Sequence, residues 1–460
     1  PNNSFNITPS GRSDALAALK NGFEPKELSS HLFGYQRDVV EFSLNAGRSA
    51  SFLDTGLGKT AVEIEWAKRV NEHTNKPVLF FAPLAVSKQH IREAERFGAE
   101  LTQAKSQDDI KNGIYITNYE KLKNFDRSKF SAVVLDESSI IKSFGGKTTQ
   151  ALTEFSAGMR FKLAATATPA PNDYMELGQH CAFLDVMASS EMLARWFVTD
   201  QREMGKYRLK KHGVKDFWSW VASWARCVGK PSDLGYDDST HVLPKLNTHL
   251  HFVDVDLSIG ADDGALFRSV DMSATSVHKE KRLTSGDRAK KAADIVKTEP
   301  NEQWMVWVDT DYDADAFLEE FPDAVEVRGN MSPEEKEEKL DGFSTGKIRV
   351  LLSKPSIAGM GLNWQQCART VFMGLSFSYE SYYQAVRRFW RFGQKREVEA
   401  HIVLASSEQQ IWATVQRKQK EHEIMKLEMF DAMKRECVTR EVKIPYQGIL
   451  APKLPKFITR

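Results

Sequence analysis

The sequence predicts an α/β protein with two parallel-sheet domains and a helical insertion between them. Short runs of β-branched and aromatic residues alternate with helical patterns, and these runs occur in two separate series. Apolar runs of this kind are typical of strands buried on both faces of a parallel sheet, with helices as crossovers. A chain of 460 residues also exceeds what one hydrophobic core usually organises, which favours two domains.

Each series of strands predicts one domain. The first series gives strands at 78–83, 114–118, 132–137 and 161–168, and the second gives strands at 304–308, 348–353, 370–374 and 400–405. A further strand is predicted to end near Leu53. The expected divisions are an N-terminal extension over 1–30, a first domain over 31–185, the helical insertion over 186–245, a second domain over 246–416, and a C-terminal helix and tail over 417–460.

The predicted insertion is rich in tryptophan and contains a basic run. Trp218, Trp220 and Trp224 recur at mixed helical spacing, which favours a buried core, although such rings can also stack on bases. The basic run KYRLKKHGVK, over 206–215, is a candidate for contact with phosphate groups. A solvated helix face explains the run equally well, so both interpretations stay open.

Composition excludes some protein classes and leaves others open. Hydrophobic residues make up 41% and charged residues 27%, which is ordinary globular composition and argues against a disordered chain. The 63 basic and 62 acidic residues nearly balance, so only a local cluster could indicate a nucleic-acid partner. The start of the chain is polar, and no run of about 18 apolar residues occurs, which predicts a cytoplasmic protein without a membrane segment.

The cysteines predict no structural zinc site. Cys181, Cys227, Cys367 and Cys437 are far apart and form no C-x-x-C pair. Neither a metal knuckle nor a disulfide framework is indicated by this spacing. We therefore expect reduced and mostly buried thiols.

The stretch SFLDTGLGKT has the form of a phosphate-binding loop that leads from a strand into a helix. Gly56 and Gly58 would allow the backbone to approach a phosphate closely. Lys59 would reach the β- and γ-phosphates, and the Thr60 hydroxyl would hold Mg²⁺. Leu53 stands where the G-x-x-x-x-G-K-[ST] pattern has its first glycine. For this stretch alone, a glycine-rich turn without a ligand is therefore an alternative.

An acidic strand end supplies the second part of a nucleotide site. The apolar run AVVLDE ends in Asp136, which can bind Mg²⁺ through the water shell of the metal, and Glu137, which can orient an attacking water. An acidic turn after a strand is common by itself. The two motifs occur in the order expected for neighbouring strand ends of one sheet. Together they predict ATP hydrolysis with Mg²⁺ as the cofactor.

The run QAVRRFWRFGQ supplies positive charge from the second domain. Gln384, Arg388 and Arg391 stand at i, i+4 and i+7, which predicts one shared helix face, with Arg387 on another face. Two arginines far in sequence from the phosphate loop could reach across a cleft toward the γ-phosphate. Such arginine fingers contribute about 10³- to 10⁵-fold in rate where they operate. A plain surface cluster of arginines is the alternative.

In this order the motifs resemble those of superfamily 2 helicases, and within them the Swi/Snf-like ATPases that translocate on double-stranded DNA. LFGYQRDVVEF resembles the opening L-x-x-Y-Q segment, LDESS the D-E-x-x box and ATATPAPND the T-x-T-P motif. FFAPLAVSKQHIREAERF and IYITNYEKL resemble the strand-contact motifs of the first domain. VRGNMS, SIAGMGLNW and QAVRRFWRFGQ match in order in the second domain. The resemblance covers Phe33 to Trp412.

The resemblance implies two RecA-like domains with ATP bound between them. Gln36 takes the place of the glutamine that reads adenine. The catalytic residues implied are Lys59, Glu137, Arg388 and Arg391, and the Mg²⁺ ligands implied are Thr60 and Asp136. Contacts with ATP are expected from Gln36, Thr55, Gly56, Leu57, Gly58, Lys59, Thr60, Gly361 and Gln384.

The resemblance also implies that nucleic acid crosses both domains along the edge opposite the nucleotide. Strand contacts are implied for Pro83, Thr117, Asn118, Arg328, Gly329 and Asn363. Thr166 and Thr168 would couple hydrolysis to movement, as ATP closes the cleft and hydrolysis reopens it. The insertion is similar to that of short phage and prophage members. The implied setting is therefore the cytoplasm of a bacterium or a phage-infected cell, in association with nucleic acid.

Two positions bear on how closely the chain follows the family. Ser138 and Ser139 replace the usual last two residues of the D-E-x-x box. The family contact from the fourth position of that box to the second domain is therefore not expected here. Leu53 is no departure, because the loop of this superfamily commonly lacks the first glycine. We expect an ATP-dependent DNA helicase or translocase that acts on duplex-containing or forked DNA. The alternatives are an RNA helicase of the same superfamily and a nucleotide-gated DNA clamp that does not step.

Overall fold

The computed structural model describes residues 21–83, 87–142, 146–170, 173–199, 207–256, 258, 274–358 and 363–441. In these ranges the chain forms two parallel sheets and one antiparallel hairpin. The prediction of an α/β protein with two parallel-sheet domains is confirmed. Gly361, Lys206 and the tail over 442–460 lie outside the described residues.

The first sheet has seven strands, all of them parallel. These strands are β1 (Arg48–Leu53), β2 (Val78–Ala82), β3 (Leu101–Gln103), β4 (Ile114–Asn118), β5 (Ala132–Asp136), β6 (Phe161–Ala165) and β9 (Ala225–Val228). Their order across the sheet is β3-β4-β2-β5-β6-β1-β9. The carboxyl ends of parallel strands lie at one edge of a sheet, and ligands of open α/β sheets bind outside that edge.

Helices cover both faces of the first sheet. One face is covered by α1 (Gly34–Ala46), α2 (Lys59–Thr74) and α3 (Ser87–Arg96), and the other by α4 (Lys147–Ser156), α5 (Leu177–Phe183), α6 (Ser189–Trp196) and α7 (Val214–Trp224). Neighbouring residues of β1 alternate between the two cores, with Phe52 in one and Leu53 in the other. Ala61, Ile64 and Ala67 recur at helical spacing on α2 and are buried against the sheet.

The second sheet has six parallel strands. These are β10 (Leu246–Val253), β11 (Trp304–Val308), β12 (Val325–Val327), β13 (Val350–Ser353), β14 (Arg369–Met373) and β15 (Val398–Ala405), in the order β10-β15-β14-β11-β13-β12. The helices of this domain are α8 (Ala274–Leu283), α9 (Ser285–Thr298), α10 (Asp311–Glu320), α11 (Pro333–Ser344), α12 (Pro355–Ala358) and α13 (Tyr379–Val386). Its two faces bury separate apolar cores.

The structure differs from the predicted strands mainly at the edges of the two sheets. The outer strands β3, β9, β10 and β12 were not predicted, because short or half-exposed edge strands lack the continuous apolar run of a central strand. β10, for example, has the sequence LNTHLHFV and exposes much of its length. Among the central strands, β6 ends at Ala165 and β13 begins at Val350, so both are shorter than predicted.

The segment predicted as a helical insertion is helical only in part. It contains α6, a hairpin of β7 (Phe197–Thr199) and β8 (Tyr207–Leu209), α7, and the edge strand β9. Trp218 and Trp224 are fully buried, and Trp220 stacks on Trp196 at 4.5 Å between ring centroids. These rings form part of the first-domain core, so the alternative that Trp218 and Trp224 stack on bases is wrong.

The C-terminal helix α14 (Gln409–Glu441) connects the two cores. It begins within the segment predicted as the second domain, where Ile411 and Val415 pack in the core of the second sheet. Further along, Met425 and Met429 are buried in the core of the first sheet. Among the residues described, no helix combines the length and the apolar character needed to cross a membrane.

We predict that Met429→Ala lowers the free energy of unfolding by about 2–5 kcal/mol, because the substitution leaves a cavity in a packed core. Met429 is 3% exposed, whereas Leu427 on the same helix is 63% exposed. The matched control Leu427→Ala is expected to change the free energy of unfolding by less than about 0.5 kcal/mol. Urea unfolding of both variants tests this, and equal effects would contradict the packing of α14 on the first domain.

Candidate active site

The phosphate loop joins the end of β1 to the start of α2. Gly56 and Gly58 have left-handed backbone conformations, with φ of 94° and 73°, which residues with a Cβ rarely adopt. A Cβ at Gly58 would lie 2.2 Å from Nε2 of Gln36, so a larger residue there would also displace the Gln36 side chain. Since α2 begins at Lys59, the loop leads directly into a helix N-terminus, an arrangement that favours anions.

Gln36 connects the opening segment of the chain to this loop. Its Nε2 donates to the carbonyl of Leu57 at 2.8 Å, and its Oε1 accepts from the N–H of Phe33 at 3.0 Å. The Tyr35 hydroxyl donates to the same Leu57 carbonyl at 3.0 Å. The residue predicted to read adenine therefore lies directly against the predicted phosphate loop.

Lys59 is paired with both carboxylates at the end of β5. Its Nζ lies 3.1 Å from Oδ1 of Asp136 and 2.8 Å from Oε1 of Glu137. Burial lowers the pKa of Lys59, but the charges of Asp136 and Glu137 outweigh burial and hold that pKa above its ordinary value. Burial likewise acts to raise the pKa of Asp136, and Lys59 and His90 outweigh it, so that pKa lies well below its usual range.

Glu137 has a strained backbone. Its φ of 52° is left-handed, a conformation that costs a residue other than glycine about 1–3 kcal/mol. Its N–H donates to Oδ1 of Asp136 at 2.9 Å. The strain turns the chain sharply after β5, so both carboxylates meet the same lysine. Strain of this kind persists mainly where function requires it.

Thr166 and Thr168 follow β6, which lies between β1 and β5 in the sheet. Both residues are fully buried. The N–H of Thr166 donates to the Ser51 carbonyl at 3.2 Å, and the N–H of Thr168 donates to Oγ1 of Thr166 at 3.1 Å. This segment therefore connects the strand of the phosphate loop with the acidic strand. The coupling role of the two threonines stays a prediction.

The predicted shared helix face of Gln384, Arg388 and Arg391 is wrong. The helix α13 ends at Val386, and the chain continues in turns. Phe389 within these turns is fully buried in the core of the second sheet. This packing outweighs the helical pattern of the run, because tertiary contacts commonly override local propensity.

Arg388 and Arg391 nevertheless come close to the acidic residues of the first domain. Arg388 is 5% exposed and interacts electrostatically with Glu137 and Asp136. Arg391 interacts with Glu93 and Glu137. Burial lowers the pKa of Arg388 to about 10 and that of Arg391 to about 9, so both guanidinium groups are charged at neutral pH. Two cations of the second domain thus face the carboxylates of the first.

Asp54 of the phosphate loop binds two side chains of the second domain and one of α14. Its Oδ2 accepts from Nη2 of Arg387 at 2.8 Å and from Nζ of Lys426 at 2.9 Å. Its Oδ1 accepts from the Tyr383 hydroxyl and, at 2.7 Å, from the N–H of Thr55. Burial acts to raise the pKa of Asp54, but Arg387 and Lys426 outweigh it and hold this pKa below its ordinary value.

Two family models match the chain in the order of its two sheets. The model described as the res subunit of type III restriction enzymes matches residues 30–170, and the helicase conserved C-terminal domain matches residues 287–393. The chain belongs to the superfamily 2 helicase-type ATPases. The resemblance seen in the motifs is confirmed at this level. No curated protein matches the chain.

Membership of superfamily 2 gives the chain a general activity. It is an ATP-hydrolysing enzyme, and its helicase domains imply that it binds nucleic acid. The phosphate loop and the acidic strand end fall within the first matched segment. Arg387, Arg388 and Arg391 fall within the second. The two segments therefore contribute opposite sides of one site.

The superfamily 2 nucleic-acid motifs lie on both sheets. In the first sheet, Pro83 follows β2 and Asn118 ends the neighbouring β4, with Ala82 opposite Asn118 in the register. In the second sheet, Arg328 and Gly329 follow β12. Because all strands of this sheet are parallel, Pro83 and Asn118 lie at the carboxyl edge that also carries the phosphate loop and Asp136. The prediction that the strand-contact residues lie on the edge opposite the nucleotide is therefore wrong for the first domain.

Two residues of these motifs have partners within the protein, and a third is buried. Thr117 is 1% exposed. Asn363 accepts a hydrogen bond from Arg391, which links it to the arginines of the cleft. Arg328 forms ion pairs with Glu326 and Asp315. Contact of nucleic acid with any of these side chains therefore requires them to exchange partners or move, and their strand-contact role stays a prediction.

Ser138, where this ATPase departs from the usual D-E-x-x box, faces the interior of the first domain. It is fully buried, and its Oγ lies 3.0 Å from Nε2 of His180. A contact to the second domain is made a little further along the chain, where Lys142 pairs with Glu380 of α13. In this part of the chain, Lys142 therefore makes a contact to the second domain.

Sequence reasoning missed a buried polar cluster beside the phosphate loop. Glu63 and His90 lie next to Asp136, on α2 and α3. Burial and then the charge of Asp136 raise the pKa of Glu63 to about 8. Burial acts to lower the pKa of His90, but Asp136 and Glu63 outweigh it and raise that pKa to about 10. The available sequence indication was that Glu63 lies one helical turn after Lys59.

The donor set at the phosphate loop fits Mg²⁺. Asp136 offers a carboxylate and Thr60 a hydroxyl, which are the hard oxygen ligands that this ion prefers. Thr60 is partly exposed beside Lys59, at the start of α2. Enzymes of this superfamily use ATP and usually Mg²⁺.

We predict that Asp54→Asn lowers the free energy of unfolding by about 3–5 kcal/mol, because it leaves buried Arg387 and Lys426 without their shared anion. The pKa of Asp54 is depressed, so its contribution to stability is present at neutral pH and is lost as pH falls below the ordinary value of 3.8. Chemical unfolding measured at neutral pH tests the substitution.

The matched control is Glu421→Gln, which breaks the exposed pair with Arg417 on α14. Exposed pairs on a helix contribute about 0.3–0.5 kcal/mol. If both substitutions had the same small effect, Asp54 would not hold the two domains together.

Proposed function

We propose that this protein is an ATP-dependent DNA helicase or translocase that couples hydrolysis to movement along duplex-containing DNA. The observation that carries the proposal is the meeting of phosphate loop, acidic strand end and second-domain arginines in one cleft. A site split between two domains changes when the domains move relative to one another. Hydrolysis at such a site can therefore drive a change in domain position.

The first-domain residues would bind and activate the nucleotide. Lys59 would exchange its carboxylate partners for the β- and γ-phosphate oxygens, which frees Glu137 to orient the attacking water. Thr60 and Asp136 would hold Mg²⁺, which supplies charge neutralisation at the phosphates when it is bound. Gln36 of α1 would read the adenine edge from its position against the phosphate loop.

The second-domain residues would stabilise the charge that develops during phosphoryl transfer. Arg388 and Arg391 both interact electrostatically with Glu137, so a γ-phosphate bound beside Glu137 would attract both guanidinium groups. The buried guanidinium group of Arg388 is preorganised for this task and needs little rearrangement. Through the contacts of Arg387 and Lys426 with Asp54, a change in the phosphate loop on nucleotide binding or hydrolysis would move α13 and α14.

DNA is proposed as the polynucleotide along which the enzyme moves, because the motifs resemble those of Swi/Snf-like ATPases. The strand-end residues Pro83 and Asn118 of the first domain and Arg328 of the second would contact the sugar–phosphate backbone. Contacts of this kind do not depend on the base sequence, which suits an enzyme that moves along DNA. Thr166 and Thr168 would couple the conformational change at the acidic end of β5 to the residues that contact DNA.

We predict that Lys59→Ala and Glu137→Gln each reduce ATP turnover by at least about 100-fold while the fold stays intact. Arg388→Ala is expected to reduce turnover by about 10³-fold or more. The control is Arg417→Ala, an exposed side chain of α14, which should hydrolyse ATP at the wild-type rate. Phosphate release and circular dichroism are the measurements. Wild-type turnover in Lys59→Ala or Glu137→Gln would overturn the assignment.

We predict that duplex or forked DNA stimulates ATP turnover more than RNA does, and that stimulation weakens as salt rises, because counterion release drives phosphate contacts. Turnover is measured with duplex, single-stranded and forked DNA and with RNA. Displacement of a triplex-forming strand reports movement, and release of one strand from a fork reports unwinding. Stimulation by RNA alone would favour an RNA helicase. DNA binding that depends on nucleotide, without stimulated turnover, would favour a clamp.

A further inference from the structure

A cluster of three potential metal ligands lies beneath the phosphate loop. Glu63 of α2, His90 of α3 and Asp136 at the end of β5 each offer one ligand atom, and these three atoms all lie within 4.8 Å of one another. All three side chains are buried, with Glu63 at 0%, His90 at 3% and Asp136 at 3% exposure. The cluster combines one imidazole with two carboxylates.

Glu63 lacks a close positive partner. Neither of its carboxylate oxygens has a hydrogen-bond partner among the residues that the structure describes. A buried carboxylate is costly unless a cation or several hydrogen bonds compensate it. Lys59, the lysine next to the cluster, pairs with the other oxygen of Asp136 and with Glu137. Glu63 therefore compensates its buried charge through a long contact with His90, 3.5 Å between Oε2 and Nε2, and through no hydrogen bond within the part of the chain that the structure describes.

The two distances from His90 are longer than a typical charge-assisted hydrogen bond and close to the spacing of two ligands on one metal ion. Nε2 of His90 lies 3.3 Å from Oδ2 of Asp136 and 3.5 Å from Oε2 of Glu63. Charge-assisted hydrogen bonds are usually about 2.7–2.9 Å long, and one ring nitrogen carries only one proton for two acceptors. A tetrahedral ion with bonds of about 2.0–2.1 Å has neighbouring ligand atoms about 3.3–3.4 Å apart.

We propose that Glu63, His90 and Asp136 bind one divalent transition-metal ion, with Zn²⁺ as the representative. An imidazole ligand favours zinc and its neighbours in the first transition row over Mg²⁺, which prefers oxygen ligands. This site is separate from the proposed Mg²⁺ position. Asp136 turns Oδ2 toward His90 and Oδ1 toward Lys59, so one carboxylate faces both sites.

The shared carboxylate gives the metal a regulatory effect, and this consequence rests on the proposed ATPase mechanism. A divalent ion on Oδ2 draws negative charge away from Asp136. The hold of Oδ1 on the water shell of Mg²⁺ then weakens. Bound Zn²⁺ therefore inhibits ATP turnover without contact with the nucleotide.

The test of binding uses Co²⁺ alone as a spectroscopic probe, with the full chain and no nucleotide. After treatment with a chelator, titration with Co²⁺ is expected to give visible absorption of a four-coordinate ion, saturating at one ion per chain. Zn²⁺ is expected to displace the Co²⁺. Glu63→Gln and His90→Gln are each expected to weaken binding at least about 10-fold, since even outer-shell partners contribute about 10- to 100-fold.

The matched control is His249→Ala, which removes an exposed histidine that pairs with Glu399 and neighbours His401 on the second sheet. This variant is expected to bind Co²⁺ as the wild type does. Loss of the absorption in His249→Ala and its retention in His90→Gln would overturn the proposal. Absence of saturable Co²⁺ binding in the wild type would overturn it as well.

A second measurement separates metal binding from folding. Zn²⁺ is expected to raise the thermal unfolding midpoint of the wild type and of His249→Ala, and to leave that of a folded Glu63→Gln or His90→Gln unchanged. An equal rise in all variants would contradict the site. Because neither readout involves ATP, metal binding can be confirmed or refuted independently of hydrolysis.

The regulatory effect has its own readout. Zn²⁺ is expected to inhibit wild-type turnover, and Glu63→Gln is expected to be at least about 10-fold less sensitive. Inhibition that is equal in wild type and Glu63→Gln would contradict the regulatory effect even if Co²⁺ binds. A protein that binds Co²⁺ as proposed but hydrolyses no ATP would refute the proposed function and leave the metal site standing.

Discussion

The ion pairs of Asp54 are the interaction on which the rest of the site depends. One carboxylate of the phosphate loop binds Arg387 of the second domain and Lys426 of α14, both at hydrogen-bond distance. All of these groups are largely withdrawn from water, where an ion pair must be well matched to be tolerated. The loop conformation and the position of the second domain are therefore linked through one anion.

This link explains how two arginines reach a site in another domain. Arg388 follows Arg387 directly, so the pair that fixes Arg387 on Asp54 also brings Arg388 toward Glu137. The helix α14 strengthens the arrangement because its first turns pack in one core and its later turns in the other. A ligand that moves the phosphate loop must therefore also move Arg387, Arg388 and α14.

Asp136 stands at the centre of the polar side of the site. Its Oδ1 receives Lys59 and the N–H of Glu137, and its Oδ2 faces His90. The two oxygens of one carboxylate therefore serve different surroundings, the phosphate loop on one side and a buried cluster on the other. The backbone of Glu137 is strained where the carboxylates of Asp136 and Glu137 meet Lys59.

The sequence by itself determined the central elements of the chain. Apolar runs identified the inner strands, and the loop around Lys59 and the acidic end of β5 were recognisable because phosphate chemistry restricts the residues that can stand there. The chain order of the motifs also indicated the superfamily. These features depend on local residue type and spacing, which a sequence records directly.

Only the tertiary structure decided which distant side chains meet. The end of α13 at Val386, the contact of Lys426 with Asp54, and the cluster of Glu63 with His90 all arise from packing between elements far apart in the chain. The edge strand β9 and the burial of Trp218 have the same origin. Such contacts follow no local period, because they are set by how whole helices and sheets fit together.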